Sequence, residues 1–142
     1  MTSVRQMLRN KTDVYAVSPD DTVYDALMLM ADRNIGSVLV MEGGELRGIL
    51  TERDYARKGI LQGRASKDTK VGEIMTPRII CVAPGVTADE CMVLMTDQRV
   101  RHLPVMEGGR VVGLISIGDV VRAILDEQRS TIDALQSYIR TA

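Results

Sequence analysis

VMEGGELRGILTERD runs from Val40 to Asp54, and VMEGGRVVGLISIGD runs from Val105 to Asp119. The second stretch begins sixty-five residues after the first and keeps its Val-Met-Glu-Gly-Gly opening, its next glycine and its final Asp. Self-similarity at a fixed period decides the fold ahead of any local propensity. The same offset, without a gap, aligns Pro19 with Pro84, Thr22 with Thr87, Asp32 with Asp97, Gly48 with Gly113 and Arg57 with Arg122. One unit therefore runs from about Val14 to Gly59 and its copy from about Ile79 to Ile124.

Each unit has the same order of signals. VYAVSPDD and IICVAPGV read as short strands stopped by a proline. A helix follows. Thr87-x-x-Glu90 predicts a capping box, in which each side chain satisfies the other's backbone N–H, and Thr22-x-x-Asp25 is a weaker copy. Val23, Ala26, Leu27 and Met30 recur at helical spacing, as do Ala88, Cys91, Met92 and Met95, and predict core faces. Two apolar runs around Gly43-Gly44 and around Gly108-Gly109 predict hairpins, because tight turns need the positive φ that paired glycines supply. Pro104 predicts an irregular or edge stretch in its strand. A second helix starts after Thr51 and after Ser116, and the latter stays helix-compatible almost to the C-terminus, with a partial apolar stripe at Ile124, Leu125, Ile132, Leu135 and Ile139.

The expected architecture is α/β (α+β): two pseudo-symmetric β-α-β-β-α units packed as one module, with a longer C-terminal helix. One unit alone is too small to bury its core well. The expected division is 1–62 for the first unit with an N-terminal helical segment, 63–74 for a linker, and 75–142 for the second unit.

Composition narrows the function. The chain is 45% hydrophobic and carries 18 Lys+Arg against 19 Asp+Glu, so its charge of about −1 offers no general attraction to nucleic acid or anionic membrane. No apolar run approaches a bilayer span, and the N-terminus lacks the pattern of a signal peptide, so the expected location is the cytoplasm. Cys81 and Cys91 form neither a C-x-x-C pair nor a disulfide framework and are expected to be small buried hydrophobes. A single histidine, His102, leaves too few partners for a zinc site or a His-dependent triad, so no catalysis and no metal are expected.

Both units place Ser or Thr, two residues and then Asp where a strand turns into a helix: Thr51–Asp54 and Ser116–Asp119. One reading is a helix cap. Another is a ligand site: free N–H groups and the positive dipole end suit phosphate, and a carboxylate can hold a ribose diol. Duplication does not separate the two, since a cap would be duplicated as well.

The ordered set of two β-α-β-β-α units, a Gly-Gly hairpin and G-h-h-[ST]-x-x-D resembles a tandem pair of CBS domains, a Bateman module, from about Val4 to Leu125. The resemblance implies adenosine-nucleotide binding in clefts between the units. AMP is the simplest ligand, with ADP, ATP or NAD(H) as relatives, and no metal is required. It implies Asp54 and Asp119 at the ribose hydroxyls and Thr51 and Ser116 near phosphate or ribose. Each acid would work with strands of the other unit. Asp119 with Ser116 and Gly118 would recruit Tyr15, Ile35, Gly36 and Ser37. Asp54 with Thr51 and Arg53 would recruit Thr76, Ile80, Val100, Arg101, His102 and Pro104. Gly36-Ser37 in one unit stands where Arg101-His102 stands in the other, and Arg53 stands where Gly118 does, so the clefts are expected to be unequal, with more positive charge at Asp54. The implied function is a non-catalytic regulatory module that senses energy or redox state and acts, as a homodimer, on a downstream protein. The alternative is a dimerisation or interaction module with vestigial clefts.

Overall fold

A computed structural model of the chain describes residues 1–11 and 13–141. In chain order the elements are α1 (Val4–Met7), β1 (Ala16–Val17), α2 (Val23–Arg33), β2 (Ser37–Glu42), β3 (Glu45–Thr51), α3 (Glu52–Asp54), α4 (Val71–Ile74), α5 (Ala88–Gln98), β4 (His102–Glu107), β5 (Arg110–Ser116) and α6 (Ile117–Thr141). They form two compact units. The Asp54 unit is Val14–Ile79, and the Asp119 unit is Met1–Asp13 together with Ile80–Ala142.

Within the Asp54 unit, β1 pairs parallel to β2 and β2 antiparallel to β3. Gly43 and Gly44 sit at φ 59° and 81° in the hairpin turn, and Gly108 and Gly109 repeat this at 59° and 77° in the Asp119 unit. A register shift at Val40/Met41 recurs at Val105/Met106. Val23, Ala26 and Met30 of α2 pack on Val38, Val40 and Leu50. Ala88, Cys91 and Met95 of α5 do the same with Leu103, Val105 and Ile115. Leu27 and Met92 are half-buried beside these cores. The core faces expected from helical spacing are thus present in both units. Cys81 departs from expectation: Cys91 is buried, but Cys81 is exposed, in the irregular stretch before α5. Burial and then the neighbouring Glu90 charge push the Cys91 thiol up to about 11, where it is inert. At α5 the cap also differs in detail. Thr87 Oγ1 accepts from the Glu90 N–H, and the Glu90 carboxylate takes the Thr87 hydroxyl at 3.2 Å.

One proline explains why the first strand of the Asp119 unit is weaker. In the Asp54 unit the Leu39 N–H donates to the Tyr15 carbonyl at 3.0 Å. The matching residue in the copy is Pro104, which has no N–H to give. Of the strand expected there, the parallel bridge Val82–Val105 forms, held by Val82 N–H to the Pro104 carbonyl and Met106 N–H to the Val82 carbonyl. Pro104 itself lies buried within β4, opposite Leu114.

The division of the chain differs from the sequence expectation at the N-terminus and the linker. Val4 is fully buried in the core of the Asp119 unit, and Val71 in that of the Asp54 unit. The two arms make the same backbone bonds. Val4 and Arg5 N–H donate to the Val86 and Pro84 carbonyls, and Val71 and Gly72 N–H donate to those of Asp21 and Pro19. The Ala88 N–H donates to Thr2, as that of Val23 does to Thr69. The arm ahead of each unit's first strand thus holds the start of that chain copy's neighbour: residues 1–13 complete the later repeat, and residues 69–79 complete the earlier one.

After Thr51 the helix breaks into a π-helical turn over Tyr55–Gly59 and a 3₁₀ turn over Ile60–Gln62, and Gly63 ends it at φ 73°. After Ser116 it continues unbroken as α6, whose Leu125, Ile132, Leu135 and Ile139 are exposed while Ile124 packs on the core.

The arms lie against glycines. A Cβ on Gly48 would stand 2.7 Å from the Thr76 carbonyl oxygen, and one on Gly113 would stand 2.6 Å from Leu8 Cδ2. Backbone cannot yield as a side-chain end can. Gly48→Ala is therefore expected to cost about 1–3 kcal/mol, and Gly113→Ala less, because Leu8 can rotate away. Denaturant midpoints of the two variants check the order.

Candidate functional site

Each unit ends its last hairpin strand in a hydroxyl residue and starts a helix at the next residue. Thr51 is extended (φ −116°, ψ 160°), and its Oγ1 accepts the Asp54 N–H at 3.0 Å. The Thr51 N–H donates to Asp54 Oδ2 at 3.0 Å. This is a complete capping box. At the other junction the Ser116 N–H donates to Asp119 Oδ2 at 2.8 Å, and the Ser116 hydroxyl donates to the same oxygen at 2.9 Å. The strand lead-ins are tied to the helix starts of their own unit. The Glu52 N–H donates to the Gly36 carbonyl, and the Ile117 N–H to that of Arg101. Ser37 pairs with Thr51, and His102 pairs with Ser116.

The two carboxylates differ in what faces them. Asp54 is buried, and its Oδ1 accepts the Thr76 hydroxyl at 2.9 Å, with Lys58 Nζ 3.5 Å away. Asp119 Oδ2 takes Lys11 Nζ at 2.6 Å, and Oδ1 takes an Arg122 guanidinium N–H at 3.2 Å. Burial pushes the Asp119 carboxyl up. The Lys11 hydrogen bond, the Ser116 backbone N–H, the Lys11 charge and the Ser116 hydroxyl outweigh it and hold the group below the ordinary aspartate range.

Thr51, Arg53, Asp54, Thr76, Tyr15, Ile35, Gly36 and Ser37 belong to the Asp54 unit, and Ile80, Val100, Arg101, His102, Pro104, Ser116, Gly118 and Asp119 to the Asp119 unit. Within the former, the structure joins Thr51, Asp54 and Thr76 directly and sets Gly36 and Ser37 beside them. Arg53 is exposed. Tyr15 lies against the core with the Arg33 guanidinium 5.2 Å above its ring. Within the latter, Arg101 and His102 border Ser116, Gly118 is exposed on the first turn of α6, and Ile80 and Val100 pack on the core.

Lys11 and Arg122 did not emerge from sequence as partners of Asp119. Arg122 lies three residues on, at ordinary helical ion-pair spacing. Lys11 lies in the arm, outside the gapless repeat. A signal for it exists: Ser3-x-x-Gln6 is a full capping box, and Lys70 and Glu73 echo it, with the Lys70 N–H donating to Glu73 at 2.7 Å. Matching Val4 to Val71 shifts the offset by two residues and brings residues 1–11 into the repeat.

The chain matches the CBS domain family twice, over residues 4–59 and 71–126. It belongs to the CBS-domain family. Among curated relatives, the mitochondrial CBS domain-containing protein CBSX3 of Arabidopsis thaliana is 50% identical over 126 residues, covering 85% of this chain; this chain spans 61% of that protein's length. CBS domain-containing protein YhcV of Bacillus subtilis is 34% identical, with 84% of each chain covered. Among solved structures, a protein with CBS domains from Burkholderia ambifaria is 51% identical, with a TM-score of 0.86 over 89% of this chain and 96% of that one. A more distant CBS domain pair, solved in complex with 5-methylthioadenosine and S-adenosyl-L-methionine, is 24% identical with a TM-score of 0.78 over 87% of this chain and 99% of that one, a likeness of fold. CBS pairs of this kind are in general regulatory. Among the described residues, no helix is long and apolar enough to cross a membrane, and no group of three metal-ligating side chains occurs.

The lowered Asp119 carboxyl fixes the sign of a pH effect. A carboxyl depressed on folding adds stability that is present above its unfolded pKa and is lost as pH falls through the folded one. Lys11→Met should raise the Asp119 pKa in a carboxyl-carbon NMR titration. It should also lower stability by about 1 kcal/mol at neutral pH, discounted because Lys11 is one-third exposed. That gap to wild type should close in acid, once Asp119 is protonated.

Proposed function

We propose that the chain is a non-catalytic regulatory module whose two Ser/Thr-x-x-Asp helix starts take the ribose of adenosine nucleotides, AMP in the first place and ADP, ATP or NAD(H) as relatives. A single observation carries the reading: each unit holds a shielded carboxylate at a helix start, with a hydroxyl three residues before it, in a chain of the CBS family. The ribose diol would donate to the carboxylate, and the helix N-terminus favours the phosphate end. Occupancy would then report energy or redox state to a downstream protein partner.

A second reading, an interaction module with vestigial clefts, draws on one observation. Both carboxylates already have protein donors: Thr76 at Asp54, and Lys11 and Arg122 at Asp119. A nucleotide must displace them. A thermal-shift series with AMP, ADP, ATP and NADH separates the readings. A ligand at about 100 times its Kd adds roughly 2.7 kcal/mol, and no shift with any of them supports the vestigial one.

Calorimetry then tests the carboxylates. Asp119→Asn should weaken AMP binding at that site by about 1.5–3 kcal/mol, the worth of hydrogen bonds to a charged acceptor, while the protein stays folded. Unchanged affinity would reduce Asp119 to a helix cap.

We also propose a homodimer. Met28 on α2 and Val93 on α5 stand at matching positions of the repeat, and both are exposed, as are Leu135 and Ile139 on α6. Sedimentation at micromolar concentration should return about twice the 15.6 kDa chain mass. A single species of chain mass would rule the dimer out.

A further inference from the structure

We propose that Lys11 sets the ligand class of the Asp119 site, favouring adenosine ligands with a phosphate at the 5′ position over those with a neutral thioether there. This rests on the ribose reading above and says which end of the ligand decides affinity.

A ribose arriving at Asp119 must displace donors already there. A carboxylate offers about four acceptor positions. At Asp119 the Ser116 backbone N–H and hydroxyl take Oδ2, together with Lys11 Nζ at 2.6 Å, and Arg122 takes Oδ1 at 3.2 Å. A diol brings two neutral O–H donors, so room for it comes from Lys11 and Arg122. Arg122 is 73% exposed, and its guanidinium passes into water at little cost. Lys11 is only 36% exposed, and its ammonium loses a counter-charge. A ligand that carries its own negative charge near the ribose supplies a replacement, and a neutral 5′-thioether does not.

The base of Lys11 is held while its head can move. The Lys11 N–H donates to the Leu8 carbonyl at 3.0 Å. Leu8 in turn fills the space that a side chain on Gly113 would need, on the strand that ends in Ser116. The arm is thereby fixed beside the site, and a four-carbon stem with a point charge can swing from the carboxylate to a phosphate on the same ligand. In the Asp54 unit the arm presents the neutral Thr76 hydroxyl to Asp54, and the cation near that carboxylate, Lys58 at 3.5 Å from Oδ1, comes from the following helical turn and is half exposed. The repeat positions Arg53, Arg101 and His102 predict more positive charge at Asp54; the arm, which lies outside the gapless repeat, adds Lys11 to Asp119.

The test compares AMP with 5′-methylthioadenosine by calorimetry, in an Asp54→Asn background that leaves the helix-cap acceptor in place and reports the Asp119 site. AMP should bind about ten- to hundredfold more tightly than the thioether, as expected for one charge-assisted contact. Adding Lys11→Met should bring the two to within about twofold, mainly by strengthening the thioether, which no longer strands an ammonium, and Lys11→Arg should restore most of the preference. The same titrations on Lys11→Met with Asp54 intact guard against poor folding of the double variant. If Lys11→Met weakens both ligands by one factor, or leaves their ratio unchanged, Lys11 is a structural contact and the inference is overturned while the ribose reading stands. If the Asp54→Asn protein and the wild type bind neither ligand, the ribose reading fails and this inference falls with it.

Discussion

The close approach of each arm to the middle of a hairpin strand is the constraint on which the rest depends. Gly48 and Gly113 make it possible, because no side chain stands between strand and arm. In the Asp54 unit the approach is backbone to backbone. Ile49 and Thr76 exchange both hydrogen bonds, so the arm behaves as a further short strand. In the Asp119 unit it is side chain to backbone, with Leu8 in the gap. The same contacts deliver Thr76 to Asp54 and Lys11 to Asp119. A methyl group at either glycine would therefore act on the carboxylates as well as on the packing.

The carboxylates serve two ends at once. A helix start leaves N–H groups without helical partners; the hydroxyl at the cap takes one, worth about 1 kcal/mol, and the acid three residues on takes the cap residue's own N–H. The geometry that caps the helix also fixes the carboxylate in one rotamer, close to the hydroxyl of Thr51 or Ser116. A ligand group arriving there meets an acceptor that needs no ordering, which is the physical sense of preorganisation. Cap and ligand site are thus not exclusive, and duplication of the motif favours neither.

Much of this architecture was legible because it is local. Paired glycines dictate the turns, helical spacing dictates the buried faces of α2 and α5, and Thr22, Thr51 and Thr87 dictate helix starts. The arms were not legible, because their partners are distant in the chain: Val4 bonds to Val86, and Lys11 to Asp119. Cys81 was expected to be buried, yet its thiol is exposed, as is Ala16 at the matching position of the paired strand β1, so this strand position faces outward in both units. Pro104 was read as an irregularity in its own strand. Its effect falls on the neighbouring strand, which loses the donor that Leu39 provides elsewhere. The candidate residues were found one by one, but which donors already occupy the carboxylates follows only from three-dimensional placement.

The order in which the chain visits the two units bears on how it is made. Residues 14–79 form one continuous unit, whereas the other begins at residue 1 and resumes at residue 80. During synthesis the continuous unit can close as soon as its arm leaves the ribosome. Residues 1–13 must wait, with Val4 and Leu8 bare, until the second hairpin emerges. Folding of the intervening stretch shortens the effective loop that the waiting arm has to close, so completing the first unit lowers the entropic barrier to the second. The Asp54 end is then assembled ahead of the Asp119 end on every nascent chain, and the exposed arm is the segment most in need of protection in the interval.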